Sequence, residues 1–284
     1  LMQIYYIIFL ILSIAHFISK AKNNFNDFLF YALLLLLTVF VGLRDNVGGD
    51  WNSYFYMYYE YKDKVFLDIL KDQQDDMAFA FINYLFSNFN FGFFSVNLIA
   101  SLISFFGLYI FSKNFSDKFL ILIIAFPVMI VICFMGFIRQ GCALSISLIG
   151  IYYLIKDKKA NYFFCIFFAF LFHKTAIIFL IYILTFIDFK NIKKKLAYFL
   201  SNKLLVFILI LFLLLFLNYL DFFTKILLQY ANQGKYVSKG LIPRLLMNLI
   251  PAIIFLFLIK KINLTLIEKK IIIITSLLII LSIL

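Results

Sequence analysis

Long apolar runs, broken only by short charged segments, dominate this chain of 284 residues. Hydrophobic residues make up 65% of the sequence, charged residues make up 14%, and the mean hydropathy is +1.04. One soluble core cannot hide so much apolar surface, so the lipid bilayer must be the solvent. A helix needs about 20 apolar residues to cross about 30 Å of hydrocarbon, and this length therefore accommodates about ten spans. These features exclude most cytosolic enzymes, nucleic-acid binders and secreted disulfide scaffolds.

The apolar runs predict an all-α polytopic integral membrane protein that forms a single transmembrane domain over residues 1–284. The chain begins at Leu1 and ends at Leu284 inside an apolar run, and one interpretation is that a C-terminal portion is missing. About ten transmembrane helices are expected, near residues 2–19, 28–43, 94–112, 119–138, 140–155, 160–173, 175–189, 204–220, 244–260 and 269–284.

The stretch 160–189 has two interpretations, because each half is short for a span and His173 and Lys174 lie between the halves. One is a pair of short or tilted spans joined by a tight outer turn, and the other is a single long helix. A single helix would move the lysine cluster of 188–203 outside, against the tendency of basic loops to stay in the cytoplasm. We therefore expect two spans.

Basic residues orient the predicted spans. Sixteen of the 26 Lys and Arg residues lie in five short connections, at 20–27, 113–118, 156–161, 188–203 and 260–270. Because basic loops remain on the cytoplasmic side, these connections are predicted to face inward. The formal charge of +12 then reports orientation and contact with anionic lipid rather than a nucleic-acid partner.

The long loop at 44–93 is predicted to lie outside, and it holds eight of the fourteen acidic residues. From Ala78 to Phe89 its apolar residues recur at helical spacing, and the acids Asp75 and Asp76 precede them. About 14 residues are too few to span a bilayer. The pattern predicts an amphipathic helix along the outer interface.

Charged side chains near apolar spans are expensive to bury, so those outside the basic inner loops are the first candidates for function. Arg44 opens the segment 44–51, which also holds Asp45, Asp50 and paired glycines that permit a tight turn close to a ligand. The alternative is an interfacial Arg that anchors the span, followed by an Asp in a solvated turn.

Two further interruptions break long apolar stretches. Arg139 precedes Gln140, and its guanidinium fork suits pyrophosphate oxygens and could stabilise charge on a departing phosphate. His173 precedes Lys174 and could serve as a base, an acid or a donor to phosphate. The alternatives are a turn Arg and an interfacial His without a catalytic role.

Aromatic side chains, among them Trp51 and Tyr54, crowd the loop after Asp50. An aromatic belt at the interface explains them, and a stacking platform for sugar rings is the second interpretation. Farther along the chain, the lysines of 221–243 and the following Arg244 could attract a phosphate.

Several kinds of chemistry have no support in the sequence. Cys133, Cys142 and Cys165 lie inside apolar runs without a CxxC or His-linked pattern, so we expect packing roles and no metal site. The sequence has no GxxxxGK[ST], GxGxxG, HExxH or GxSxG motif. Nucleotide-driven transport, metalloprotease chemistry and ordinary serine hydrolase chemistry are therefore disfavoured, and no cofactor is expected.

Three short motifs, taken in order, resemble those of the EpsG/Wzy-type membrane polysaccharide polymerases. They are Arg44-Asp45-x-Val47-Gly48-x-Asp50-x-x-x-Tyr54 after the second span, Arg139-Gln140-x-x-Ala143 opening a span, and Phe172-His173-Lys174-Thr175-Ala176 closing another. The resemblance covers most of the chain.

The resemblance implies an integral membrane glycosyltransferase that polymerises O-antigen, capsular or exopolysaccharide repeat units carried on undecaprenyl pyrophosphate. It further implies that the reaction takes place on the outer side of the bacterial inner membrane. A sugar hydroxyl of one lipid-linked repeat would attack the anomeric carbon of another and expel undecaprenyl pyrophosphate. The expected partners are this lipid-linked glycan, the bilayer, a chain-length regulator and a flippase, with no nucleic acid.

The resemblance and the residue chemistry together assign expected roles. Arg139, with Arg44 or Arg244, would stabilise the leaving pyrophosphate, while Asp50 or His173 would take the proton of the acceptor hydroxyl. The expected catalytic residues are thus Arg139, His173, Asp50 and Arg44. Substrate binding is expected at Asp45, Trp51, Tyr54, Gln140, Lys174 and Arg244.

Other membrane functions remain as alternatives. A flippase or transporter of lipid-linked glycans would also need many spans and cations, but its charges should follow a route to both faces. Here the candidates gather on one predicted face, which favours a site over a path. An O-antigen ligase or an acyltransferase would share this pattern.

Overall fold

The computed structural model describes residues 2–20, 25–62, 64, 65, 69, 76–186 and 241–281. Throughout these residues the secondary structure is helical, with turns and no strand, which confirms the predicted all-α class. Two compact units divide the chain, at residues 1–178 and 179–284. Whether they make a single transmembrane domain stays a prediction.

Most of the described helices coincide with predicted spans. In the first unit they are α1 (Met2–Ser19), α2 (Phe25–Gly42), α3 (Trp51–Glu60), α4 (Met77–Asn88), α5 (Phe93–Ser112), α6 (Lys118–Ala125), α7 (Ile138–Ile155) and α8 (Lys159–Phe172). A π-helix, Phe126–Phe134, continues α6, and a 3₁₀ helix, Lys174–Phe186, follows α8. The second unit contains α9 (Leu241–Leu258) and α10 (Leu266–Leu281).

Length and hydropathy suit the described helices to a bilayer. Two of them, Phe93–Ser112 and Ile138–Ile155, are long and apolar enough to cross a membrane, and six shorter apolar helices accompany them in the described part of the chain. Large apolar side chains such as Phe17 and Leu35 are exposed on α1 and α2, as contact with lipid requires. The count of ten spans stays a prediction, because the expected span at 204–220 lies outside the described residues.

Pro127 lies where the helix of residues 118–134 changes its hydrogen-bonding pattern. The predicted span 119–138 forms as α6 followed directly by the π-helix, with Pro127 in the first turn of the π-helical part. Proline has no N–H to donate to the regular ladder, and a wider π turn accommodates that loss.

Small residues let α5 and α7 approach closely. A Cβ atom on Gly107 of α5 would collide with the carbonyl oxygen of Ser145 and would lie 2.6 Å from its carbonyl carbon. On the same helix, Ser101 donates through Oγ to the Thr38 carbonyl of α2 at 2.8 Å. Close backbone approach and such hydrogen bonds are how helices associate in lipid, where the hydrophobic effect does not drive them together.

Polar side-chain contacts join the helix ends on the predicted inner side. His16 at the end of α1 lies 3.2 Å from Asp117, which also accepts from the Leu120 amide and so caps α6. Lys118 lies 3.0 Å from Asp27 in the first turn of α2. The connection at 113–118 is therefore tied to both N-terminal helices.

The segment 44–93 holds one predicted helix and one that was not predicted. The expected helix near 78–89 is present as α4. The aromatic segment after Asp50 was expected as a loop, but it forms α3, with Trp51, Tyr54 and Tyr58 on its buried face. These rings pack against Phe93 and Phe79 of neighbouring helices, so tertiary contacts stabilise a segment of weak helix propensity.

The break at His173 settles the interpretation of 160–189. His173 adopts extended backbone angles, φ −162° and ψ 130°, and this ends α8. A separate 3₁₀ helix begins at Lys174. Two helices are therefore present, and the single long helix is wrong.

We expect Gly107→Ala to lower stability, although glycine-to-alanine changes inside helices ordinarily raise it by about 1 kcal/mol. The added methyl group would press on the Ser145 backbone, and overpacking of this kind costs about 1–3 kcal/mol. Thermal unfolding of the detergent-solubilised protein by circular dichroism measures the effect.

Gly150→Ala in α7 is the matched control for this change. Its new Cβ would meet only side-chain atoms, the nearest on Ile166 at 3.2 Å, and these can move. A higher unfolding temperature for Gly107→Ala than for the wild type would contradict the close packing of α5 and α7.

Candidate functional site

Arg44 fastens the segment 44–51 to the end of α2. The Arg44 side chain is buried, donates from Nη1 to the Val41 carbonyl at 2.5 Å, and donates from Nε to the Val47 carbonyl at 3.2 Å. Its guanidinium carbon lies 5.6 Å from the centroid of the Trp51 ring. Burial lowers the pKa of Arg44 to about 10, so it remains a cation at neutral pH. Its hydrogen bonds and its ring contact are therefore with the end of α2 and with the segment 44–51.

Gly48 presses this segment against the turn that precedes α7. Its φ of +121° lies in the region that favours glycine, and a Cβ there would collide with the Met135 carbonyl oxygen. Gly136 is also close, with its Cα 3.3 Å from that Cβ position. The first motif thus contacts the residues immediately before the second.

Arg139 is the centre of a polar cluster formed by Asp50, Tyr54, Asp76 and Arg139, which we call the Arg139 cluster. Nη1 of Arg139 donates to Oδ2 of Asp76 at 3.2 Å, and the guanidinium carbon lies 5.6 Å from the Tyr54 ring centroid. The Tyr54 hydroxyl donates to Oδ2 of Asp50 at 3.4 Å. Burial raises the pKa of Tyr54, so the hydroxyl keeps its proton for this contact. Three separate segments therefore meet at Arg139.

Asp76 is the functional candidate that the sequence did not reveal. It immediately precedes α4, where an acid stabilises a helix N-terminus. Because this local role explains the acid by itself, the sequence gives no sign of its pairing with Arg139, 63 positions away. Its side chain is 5% exposed, against 26% for Arg139. The carboxylate is thus enclosed, whereas about a quarter of the Arg139 side chain is exposed.

His173 brings the third motif beside the second. Its Nε2 lies 3.5 Å from the side-chain nitrogen of Gln140, the residue after Arg139. On the other side of the ring, Nδ1 lies 2.8 Å from Oγ1 of Thr175. Burial, together with the positive charges of Arg139 and Lys174, lowers the pKa of His173 to about 4. The imidazole is therefore neutral at physiological pH.

The remaining predicted residues have different surroundings. Asp45 is exposed, and Lys174 is half-buried at the start of the 3₁₀ helix. Trp51 and Tyr54 belong to the buried aromatic face of α3, whereas Phe55, Tyr56 and Tyr59 of the same helix are exposed. Arg244 lies in α9 of the second unit, and its side chain is outside what the structure describes.

Over the residues that the structure describes, no group of three His, Cys, Asp or Glu side chains could hold a metal ion. The chemistry on offer is instead that of a guanidinium, a neutral imidazole and two carboxylates brought together from distant segments. Such a set can stabilise developing negative charge and accept or hold a proton.

Comparison with known proteins gives one match. A family model described as the EpsG family matches residues 27–284, which include all three motifs. No curated protein and no solved structure matches the chain.

Trp51 is the single tryptophan of the chain and reports the position of the segment 44–51 by its fluorescence. We expect Gly48→Ala to shift its emission to longer wavelength, because the methyl group displaces the segment from Met135 and exposes the indole. The neighbouring Gly49→Ala is the control, since nothing lies within 4 Å of its Cβ position. Identical spectra for the two variants would contradict this packing.

We expect His173 to titrate near pH 4, well below the ordinary histidine pKa of 6.5. Nitrogen-15 NMR of histidine-labelled protein in nanodiscs measures this, with a His16 variant to assign the second signal. Arg139→Gln should raise the pKa of His173, because it removes a neighbouring positive charge. The unfolded chain binds this proton more readily, so His173 contributes stability above about pH 6.5 that is lost as the pH falls towards 4. Titration at the ordinary pKa would overturn the burial of this ring.

Proposed function

The chain belongs to the EpsG family, whose members are glycosyltransferase-like membrane polysaccharide polymerases, and we propose the following reaction for it. The protein joins undecaprenyl-pyrophosphate-linked oligosaccharide repeat units into O-antigen, capsular or exopolysaccharide. It acts at the outer face of the bacterial inner membrane. The basic connections on the opposite side of the predicted spans support this orientation.

The observation that carries the proposal is the Arg139 cluster. A guanidinium that interrupts a long apolar run needs an anion nearby, and Asp76 at 3.2 Å provides one in the structure. About a quarter of the Arg139 side chain stays exposed, so a second, diffusible anion can approach this residue. A pyrophosphate matches the planar fork through paired hydrogen bonds.

The proposed step balances without a cofactor. The hydroxyl oxygen of a sugar in one lipid-linked repeat forms a bond to the anomeric carbon of another. The bond from that carbon to the pyrophosphate oxygen breaks, and its electron pair leaves with undecaprenyl pyrophosphate. The hydroxyl proton passes to a base, for which Asp50 and His173 are the candidates from the sequence. Arg139 stabilises the negative charge that grows on the leaving group.

The proposed partners follow from this substrate. The polyprenyl chain of the donor lies in the bilayer, next to the apolar helix faces that the first unit exposes. A flippase must deliver the repeat unit to the outer face, and a chain-length regulator would limit the polymer. Neither the step nor the site needs a nucleotide.

A flippase remains the main alternative, with a ligase or an acyltransferase behind it. In the first unit, Gly48 packs the segment of Arg44 against the turn before Arg139, and Gln140, next to Arg139, lies 3.5 Å from His173. A transport path would instead require charged groups spread along the helices. The grouping favours a reaction site.

We expect Arg139→Ala to lower the rate of polymer formation by about 10²- to 10³-fold, the usual cost of removing a group that stabilises transition-state charge. Purified protein in nanodiscs, incubated with a lipid-linked repeat unit, would be followed by the ladder of products on a gel. Arg139→Lys keeps the charge but loses the planar fork of the guanidinium, so its rate should lie between those of the wild type and Arg139→Ala.

Lys158→Ala, in the short basic connection before α8, is the control and should leave the ladder unchanged. A folded Arg139→Ala protein that polymerises at the wild-type rate would refute the role of Arg139. A wild-type protein that moves lipid-linked units between leaflets without joining them would be a flippase.

A further inference from the structure

The backbone at the start of the 3₁₀ helix determines which nitrogen of His173 carries the proton. The amide nitrogen of Thr175 donates to Nδ1 of His173 at 3.2 Å. A backbone N–H can only donate, so Nδ1 must present its lone pair. The Thr175 hydroxyl, 2.8 Å from the same atom, adds a second donor. A neutral imidazole has one ring proton, which therefore lies on Nε2.

This arrangement follows from how the helix begins. His173 immediately precedes the 3₁₀ helix, and its carbonyl accepts the first bond of that helix, from Ala176 at 3.0 Å. The first amides of a helix have no partner within it, and a side chain before the helix usually accepts from them. Here Nδ1 of His173 is the side-chain acceptor for the amide of Thr175. Protonating Nδ1 would break this cap.

The other ring nitrogen faces the start of α7. Nε2 lies 3.5 Å from the Gln140 amide, whose nitrogen and oxygen can exchange places by rotation about the last side-chain bond. With the oxygen towards the ring, Gln140 is a distant acceptor for Nε2–H at 3.5 Å, which a charged oxygen of a ligand would replace. Two groups with positive charge act on the ring, Arg139 beside Gln140 and Lys174 in the adjacent turn, and both favour its neutral form.

We propose that His173 is a hydrogen-bond donor to an oxygen of the leaving pyrophosphate through Nε2–H, and that Thr175 is the positioning residue that fixes this tautomer. The inference rests on the proposed function of the site. Pyrophosphate oxygens only accept hydrogen bonds, and a neutral imidazole held at a helix N-terminus can polarise an oxygen that gains charge. His173 acts in this way together with Arg139.

The same geometry removes His173 from the choice of base. A base needs a free lone pair, and the lone pair of this ring is on Nδ1, occupied by both donors of Thr175. The acceptor hydroxyl therefore gives its proton to Asp50. The Tyr54 hydroxyl contacts one oxygen of that carboxyl group.

The tautomer can be measured without any polymerisation assay. Nitrogen-15 NMR of histidine-labelled protein distinguishes a protonated from an unprotonated ring nitrogen. We expect a single Nε2-protonated form of His173 in the wild type and in Thr175→Ser. Thr175→Val removes the hydroxyl but keeps the shape and the backbone N–H. The Nε2-protonated form should therefore remain dominant while the second tautomer becomes detectable, because losing one of the two donors shifts the tautomer equilibrium severalfold, and Thr175→Ser should restore the single form. A wild-type ring protonated on Nδ1 would overturn the proposal.

A matched pair of substitutions tests the donor role. His173→Gln puts an amide N–H near the position of Nε2, whereas His173→Asn puts it near the position of Nδ1, and neither amide can act as a base. We expect the Gln variant to keep at least tenfold more polymerase activity than the Asn and Ala variants. Equal loss in all three would refute the donor role. If the wild type makes no polymer while NMR still shows the Nε2 tautomer, the proposed function fails and the tautomer assignment stands.

Discussion

The architecture of the first unit depends on the ion pair between Arg139 and Asp76, because losing either residue would leave the other charge without its counter-ion. A guanidinium at the start of an apolar helix cannot remain without an acceptor, and the carboxylate of Asp76 is 5% exposed. Removing one partner of such a pair costs about 3–5 kcal/mol, because the other charge stays buried alone. The pair holds the start of α4 against the start of α7, and Tyr54 of α3 packs on the same guanidinium. The N-terminal ends of α3, α4 and α7 therefore meet at Arg139.

Close backbone packing supplies the rigidity behind this pair. Gly107 lets α5 and α7 touch, and Gly48 seats the segment 44–51 on Met135 just before Arg139. The aromatic face of α3 fills the space between α4 and α5, with Trp51 on Phe93 and Tyr54 on Phe79. Polar groups that act on a substrate need such support, since small displacements weaken electrostatic stabilisation steeply.

Local patterns were sufficient to predict the helical class, the helix α4 and the break at His173. Each depends on residues close in the sequence: apolar runs, a 3.6-residue spacing, and a polar pair between two short runs. The motif order also led to the correct family.

The helical state of α3 could not be predicted from local patterns, because its aromatic residues form a helix only against Phe93 and Phe79. Asp76 had a sufficient local explanation as a helix-starting acid, so its pairing with Arg139 required the tertiary structure. The role of Thr175 depends on hydrogen-bond direction at one backbone amide, which no residue pattern encodes.

The unequal exposure of the two partners in the Arg139 pair bears on turnover. In the proposed reaction, an incoming pyrophosphate would meet a cation that already has a counter-ion, since Asp76 is paired with Arg139 and is 5% exposed. Binding would then be an exchange, in which the ligand gains only the difference between its own attraction to Arg139 and that of Asp76. In the proposed reaction, a site with an unopposed arginine would hold the spent lipid carrier tightly, whereas an arginine that is already paired would release it more readily. Under the proposed function, the enclosed aspartate would thus limit product inhibition, a condition for adding one repeat after another.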